Sequence, residues 1–329
     1  MKTKLITVLL IALTMGSNNH LMAQKIHHIQ PQLFKISFDD DYFNYRLKGT
    51  DKYYSAGLEF SLYFKKNKQA PPQIDSEQQG LPNLYFISLK QTMNTPNEIS
   101  RKGFQKGDYP YAGVLSLTYG KIHSEKNSRF TNAISVGVLG PQAFAGETQT
   151  FAHTLIHYTK PKGWNSQIKG QLIVNVMAGY EKSLLILGNR LDVTGNAAIN
   201  AGTIFTNAAA GFTIRAGRIN SWFNNYESIH LGGENHFKKA VYFFVSPSVK
   251  VIGYDATLQG QIVNQPNYIS KDVYRINADS INHVIGQVHF GVKYEGRKMA
   301  VSVSQYIQTA AFSSVSHHEY GNVSVAFKM

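Results

Sequence analysis

Residues 35–64, KISFDDDYFNYRLKGTDKYYSAGLEFSLYF, contain two stretches in which apolar and polar side chains alternate, separated by a polar loop. The apolar positions are two residues apart on both sides of the loop: Phe34, Ile36 and Phe38 before it, and Leu58, Phe60, Leu62 and Phe64 after it. A period of two is typical of β-strands that bury one face. The stretch therefore predicts a strand, a loop and a second strand, and this pattern recurs along the chain.

The loop begins with three consecutive carboxylates, Asp39, Asp40 and Asp41. Adjacent negative charges repel one another unless a cation or hydrogen-bond donors offset them. Two interpretations follow from the residues alone: an acidic, solvated hairpin loop, or a cation site at the end of a strand.

Composition limits the class of protein. The 329 residues include no cysteine, only 16% charged residues and 12% aromatic ones, which suits a barrel with a lipid-facing band and aromatic girdles. The net charge of +13 favours polyanionic partners such as acidic lipid or lipopolysaccharide. No nucleic-acid-binding motif is present and the cations are scattered, so we expect no nucleic-acid partner.

The first 23 residues resemble a signal peptide. Lys2 and Lys4 precede an apolar run over residues 5–15, and Leu21-Met22-Ala23 offers a small-residue cleavage site. The apolar run is too short to cross a bilayer as a helix. We therefore expect residues 1–23 to be removed and residues 24–329 to form an exported domain.

The rest of the chain predicts an all-β fold: a closed antiparallel transmembrane β-barrel of about twelve strands. Several predicted strands exceed ten residues, which favours a membrane barrel over a soluble exported β-sandwich. Residues 144–157 predict a short helix in an outer loop, on which Gln149 and His153, four residues apart, share a face. Strand alternation places Asp41 and Ser55 on polar faces directed into the lumen.

Six short motifs occur in an order that resembles the lipid A 3'-O-deacylase (LpxR) family. They are the acidic run, TDKYYSAG at 50–57, PYAG at 110–113, GPQAFAGETQTFAH at 140–153, KPKGWNSQIK at 160–169 and YDATLQG at 254–260. The resemblance extends over nearly the whole mature chain. It implies a twelve-stranded barrel in the outer membrane of a Gram-negative bacterium that hydrolyses an acyl ester of lipid A with calcium as cofactor.

The resemblance also implies site residues. The family's acidic motif, usually Glu-Asn-Asp, falls on residues 39–41, so that Asp40 stands where the family has asparagine. Asp40 and Asp41 are then the expected calcium ligands, and Asp41, Gln149, His153 and Ser55 the expected catalytic residues. Ser55 replaces the family's threonine and keeps the hydroxyl group. Basic residues that would bind the substrate fall near Arg101 and Lys102.

These residue types suit ester hydrolysis. Histidine is a natural base for activating water near neutral pH, and a bound cation stabilises the oxyanion. Ser55 as a nucleophile, in a serine-type outer-membrane phospholipase, is one rival. A non-enzymatic porin or structural barrel is another. We expect a monomer that meets lipid A or lipopolysaccharide and the lipid of the outer membrane.

Overall fold

The computed structural model describes residues 29–44, 52–66, 83–220, 222, 239–262 and 274–329. The predicted signal peptide, residues 1–23, lies outside the described residues. Among the helices that are described, none is long and apolar enough to span a membrane.

Twelve antiparallel strands form one closed barrel, as predicted. Each strand pairs with its neighbours in sequence, and β1 closes the barrel by pairing with β12. The strands are β1 (Ile29–Asp40), β2 (Tyr53–Lys66), β3 (Leu84–Thr95), β4 (Ala112–Ser124), β5 (Ser128–Leu139), β6 (Gln171–Leu187), β7 (Leu191–Gly202), β8 (Phe205–Arg218), β9 (Ala240–Asp255), β10 (Val284–Glu295), β11 (Met299–Gln308) and β12 (His318–Lys328).

The two ends of the barrel differ. Tight connections of three residues join β4 to β5, β6 to β7 and β10 to β11 at the end where the first strand starts and the last one finishes. The two other connections at that end, residues 67–83 and 219–239, are long. At the opposite end there is no three-residue turn: residues 203–204 join β7 to β8, and the other connections have nine residues or more. Short turns are typical of the periplasmic side, so the acidic loop and the loops around 96–111 and 140–170 lie on the outer side.

Two α-helices among the described residues lie at the outer end. Helix α1 (Ala145–Leu155) confirms the helix predicted within residues 144–157 and follows a 3-10 turn, Pro141–Ala143. Helix α2 (Ala256–Gln259) is a single turn, in which the side chain of Asp255 accepts a hydrogen bond from Thr257 N. Near it, the buried Tyr53, Tyr109, Leu258, Ile276 and Phe312 form an apolar cluster across the outer end of the lumen.

The two faces of the wall carry different side chains. Exposed apolar residues such as Phe38, Leu89, Leu117, Val136 and Val176 face outward. The lumen instead holds charged pairs. Arg215 and Asp192 form a buried ion pair, Arg129 pairs with Glu181, and Lys90 lies 3.6 Å from Asp39 and 3.7 Å from Glu59.

Candidate active site on the outer face of the barrel

One row of paired residues on the outer face of the wall carries the site. In an antiparallel sheet, residues directly opposite one another point to the same side. Phe38 and Leu58 are opposite one another and face the lipid, and the row that carries the site lies two residues further along each strand toward the outer rim. The row near the outer rim crosses six strands, from β11 to β4, and consists of Gln305, Gly321, Asp40, Ala56, Met93 and Gly113.

Helix α1 covers the β3–β4 end of this row. Gly113 makes room for it, because a Cβ atom there would lie 2.5 Å from the Cβ of Ala145. The side chain of Gln91, on the same face of β3, donates a 2.6 Å hydrogen bond to Ala143 O just before the helix. Met93 and Ala145 share a buried apolar cluster with Tyr111 and Trp164. The helix therefore packs against the outside of the barrel wall.

The acidic loop covers the β11–β12 end of the row. Gln305 Nε2 donates a 2.5 Å hydrogen bond to Phe43 O, and any side chain at Gly321 would collide with that carbonyl group. Asp40 and Ala56 thus lie on the floor between two coverings, the acidic loop and α1. Alternation along β1 directs Asp40 to the face opposite that of Asp39, and the row that holds Asp40 faces the membrane side.

The three aspartates of the acidic run have separate environments. Asp39 points into the lumen, where it accepts a 2.7 Å hydrogen bond from the hydroxyl group of Tyr54. Asp40 points outward and its Oδ1 accepts from Tyr42 N at 2.7 Å. The third carboxylate, that of Asp41, lies beyond the last residue of β1, where alternation no longer determines its direction. The three consecutive aspartates therefore lie in three different places: the lumen, the outer face of the wall and the base of the acidic loop.

Asp41 is the most buried of the three aspartates, with 2% of its surface exposed. Its Oδ2 accepts a 2.7 Å hydrogen bond from Lys52 N, and its own N–H donates to Ser55 O at 3.1 Å. The side chain of Asn44, also buried, donates to Asp41 O at 3.1 Å. These bonds tie the two ends of the acidic loop together around a carboxylate.

His153 lies on the buried face of α1, in its last turn. Its Nδ1 is 2.5 Å from Thr159 O, and because a carbonyl oxygen only accepts, Nδ1 carries the proton. A neutral imidazole then holds its lone pair on Nε2. The His153 ring also packs edge-on against Tyr158 at 5.2 Å, and Tyr158 packs against Tyr42 at 6.4 Å. Tyr42 follows Asp41 in sequence. The ring contacts of Tyr158 therefore link His153 on α1 to the acidic loop.

Gln149 lies one turn before His153 on the same buried face, as the spacing predicted. Its Oε1 accepts a 2.7 Å hydrogen bond from Trp164 Nε1, which fixes the orientation of the amide group. Trp164 in turn packs against Tyr111 and closely against Gly146. The NH₂ group of the same amide is a hydrogen-bond donor.

Ser55 lies at a β-bulge. The pairing of β2 with β3 shifts between Tyr54 and Ala56, so that Tyr54 rather than Ser55 joins Glu59 in facing the lumen. The Ser55 hydroxyl group is 2.5 Å from the hydroxyl group of Thr95 and 3.5 Å from Tyr53 O. The predicted lumenal position of Ser55 is wrong because an extra residue in the strand breaks the alternation.

Arg101 and Lys102 are exposed in the loop between β3 and β4. Their loop is joined to the segment after α1, because Lys162 N donates a 2.9 Å hydrogen bond to Ile99 O. The two cations therefore belong to the same rim as α1.

Sequence reasoning missed several residues that shape this site. Tyr158, Thr95 and Asn44 hold His153, Ser55 and the Asp41 backbone through the contacts described above. No periodic signal marks them, because each acts through a single contact made by the tertiary fold. Trp164 falls within the KPKGWNSQIK motif, so its position was recognised but its bond to Gln149 was not.

The residues around Asp41 are suited to a hard cation. Calcium prefers oxygen ligands, including carboxylates, amide carbonyl groups and backbone carbonyl groups. Asp40 and Asp41 carry carboxylate oxygens and Asn44 an amide oxygen, within five residues at the end of β1 and the start of the acidic loop. Among the described residues there is no cluster of three or more His, Cys, Asp or Glu side chains that would hold a metal by itself. A calcium ion here would therefore also need backbone or water oxygens.

Comparison with known proteins agrees with this architecture. The structure of LpxR from Salmonella typhimurium superposes with a TM-score of 0.71 at 18% identity, covering 90% of this chain and 100% of that one. The β domain of the Bordetella autotransporter BrkA matches with a TM-score of 0.44 at 7% identity, covering 90% and 98%. A comparison with curated protein sequences gives no significant match.

A family model described as outer membrane protein LpxR matches residues 6–329. The match spans the acidic run, the residues of α1 and all twelve strands. The chain therefore belongs to the LpxR family of outer-membrane proteins, and this membership supports an outer-membrane lipid A deacylase.

Proposed function

We propose that this protein hydrolyses the 3'-O-linked acyloxyacyl ester of lipid A, with His153 as general base and calcium as cofactor. Family membership supports the substrate, and so does the location of the cleft, which is the part of the outer face at Asp40 and Ala56 between the acidic loop and α1. Lipid A acyl chains lie in the outer leaflet, beside the outer face of the barrel where α1 and Asp40 are found. The substrate would reach the cleft by lateral movement, without entering the lumen.

The observation that carries the proposal is the orientation of His153. Its Nδ1 proton is held by Thr159 O, so that Nε2 is the ring nitrogen that can act as the base. In this proposal Nε2 removes a proton from water as the oxygen attacks the ester carbonyl carbon. The same proton then passes to the departing alkoxide, so that the products are a carboxylic acid and an alcohol.

Asp40 and Asp41 would hold calcium, which when bound supplies positive charge for the developing oxyanion. In the same proposal the NH₂ group of Gln149 donates to water or to the acyl carbonyl group, in an orientation fixed by Trp164. Ser55 supports that end of the cleft through Thr95. Arg101 and Lys102 would contact the phosphate groups of lipid A as exposed cations on the rim.

The two rival functions, a serine-type phospholipase and a non-enzymatic porin or structural barrel, receive less support. A serine nucleophile needs an adjacent base, whereas both hydrogen-bond partners of the Ser55 hydroxyl group are oxygen atoms. A passive pore needs an open lumen, whereas here the buried cluster of Tyr53, Tyr109, Leu258, Ile276 and Phe312 lies across its outer end. All residues of the proposed site come from one chain, so we expect the monomer to be active.

Mass spectrometry of lipid A from cells that express the protein tests this proposal. We expect loss of one acyloxyacyl group in cells with the wild-type protein and intact lipid A in cells with His153→Ala at equal barrel abundance. Intact lipid A in both would contradict the proposal, as would equal deacylation in both.

A further inference from the structure

The exposed side of helix α1 has an apolar face that the proposed reaction does not use. Phe144, Thr148, Phe151 and Leu155 follow the spacing i, i+4, i+7 and i+11, which places them on one side of the helix. The side chains of Phe144, Phe151 and Leu155 are 56%, 61% and 63% exposed, and Ile156 just beyond the helix is 70% exposed. This set of residues is called the apolar face below.

The polar member of the face is internally satisfied. The Thr148 hydroxyl group donates a 2.9 Å hydrogen bond to Phe144 O, and so leaves the apolar face without an unmet donor. The face is distinct from the buried one, which carries Gln149 and His153. A third, polar side carries Glu147 and Thr154, both exposed. Helix α1 therefore has one face for the barrel wall, one for water and one that is apolar and uncovered.

The position of the helix indicates what covers the apolar face. α1 packs on the outside of the wall through Gly113 and Met93, and four residues further along the same face of β4 lies the lipid-facing Leu117. Cations on the same rim, Lys160 and Lys162, are exposed and follow the helix in sequence. Apolar side chains next to exposed cations are typical of helices that lie in a membrane interface with anionic lipid.

We propose that α1 lies in the membrane interface with its apolar face in contact with the acyl chains of the outer leaflet. The inference goes beyond the proposed hydrolysis and does not depend on it, since it requires only the outer-membrane location and the packing of α1 on the wall. Leu155 and Phe151 then lie among lipid tails, while Thr154 and Glu147 lie in water.

Site-directed spin labelling tests the orientation, and the chain suits it because it contains no cysteine. Single variants Leu155→Cys and Phe151→Cys probe the apolar face. Thr154→Cys, next to Leu155 along the helix, and Glu147→Cys, one turn before Phe151, are controls on the polar side. Each labelled barrel is reconstituted in vesicles of phosphatidylethanolamine and phosphatidylglycerol, and its collisions with oxygen and with a water-soluble nickel chelate are measured by electron paramagnetic resonance.

We expect labels at 155 and 151 to collide more with oxygen, which partitions into lipid, and labels at 154 and 147 to collide more with nickel. Nickel accessibility at 155 equal to that at 154 would overturn the proposal, because the apolar face would then be in water. Dipolar broadening at 155, or exclusion of both reagents, would also overturn it, because protein would then cover the face. Retained heat-modifiable mobility on gels shows that each variant is folded.

Discussion

His153 is the residue on which the proposed chemistry depends most. Replacement by alanine removes the positioned base, so we expect the rate of acyl release to fall by about 10²–10⁴. His157, four residues further on and exposed, is the matched control. Its backbone has a positive φ of 56°, which asparagine tolerates, so His157→Asn should retain activity. Purified variants are compared by quantifying fatty acid released from lipid A; equal activity of His153→Ala and the wild type would refute the assignment of the base.

Variants of Asp41 and Asp40 compare a buried carboxylate with an outward-facing one in their effect on activity and on stabilisation by calcium. Asp41→Ala removes a calcium ligand, and we expect it to abolish both activity and the thermal stabilisation that calcium gives to the barrel. Asp40→Asn keeps an oxygen ligand and should retain both. A chelator should reproduce the Asp41→Ala phenotype in the wild type. Full activity in excess chelator would show that the reaction does not need the metal.

Ser55 distinguishes attack by water from attack by serine. If its hydroxyl group only supports the cleft through Thr95, Ser55→Ala leaves measurable activity, with a loss smaller than that of His153→Ala. Complete loss, together with labelling of the wild type by a serine-directed phosphonate, would instead establish a covalent mechanism. Labelling is read by intact-protein mass spectrometry.

Individual residues were predictable where one local pattern determined them. The spacing of Gln149 and His153 predicted a shared helix face, and both are buried on one face of α1. The direction of Ser55 was not predictable in the same way. A bulge at Tyr54–Ala56 moves Ser55 out of the alternation, and the role of the outer row appears only when six strands are paired.

At the scale of elements, the contact between α1 and β4 holds the catalytic face against the wall. Gly113 permits this contact, since any Cβ there meets Ala145. Gly113→Val should displace the helix at a cost of about 1–3 kcal/mol and reduce activity strongly, although residue 113 carries no reactive group. The barrel itself should persist, because the strand ladders are unchanged.

A second strand glycine provides the control for this prediction. A Cβ atom at Gly179 would have its nearest contact at 3.8 Å, so Gly179→Ala should be accommodated with activity retained. Gel mobility and circular dichroism check the folding of both variants. Wild-type activity in Gly113→Val would show that the position of α1 does not matter for the reaction.

The twelve-stranded barrel was predictable because alternation with a period of two recurs in long strands, whereas the covering of its outer face was not. The helix was predicted from residues 144–157, but packing of Ala145 on Gly113 depends on the tertiary fold. The same holds for the acidic loop, whose Phe43 carbonyl group lies over Gly321 and bonds to Gln305, more than 260 residues away in sequence.

At the scale of the whole molecule, the lumen contains two cavities of about 410 and 370 Å³, and the apolar cluster around Tyr109 and Phe312 lies across its outer end. Lys90 and Tyr320 line both cavities. In the apolar cluster at the outer end, burial raises the pKa of Tyr109, so that its hydroxyl group stays neutral. We expect no ion conductance in planar bilayers. Stable conductance steps of a purified, enzymatically active preparation would contradict this expectation.

The most direct test of the account is a mass spectrum of purified lipid A after incubation with the purified, folded barrel and calcium. The account predicts a product that lacks one 3'-O-linked acyloxyacyl chain, together with the corresponding free acid, and neither species with His153→Ala. Unchanged lipid A in the presence of calcium and a correctly folded wild-type barrel would contradict the proposed function.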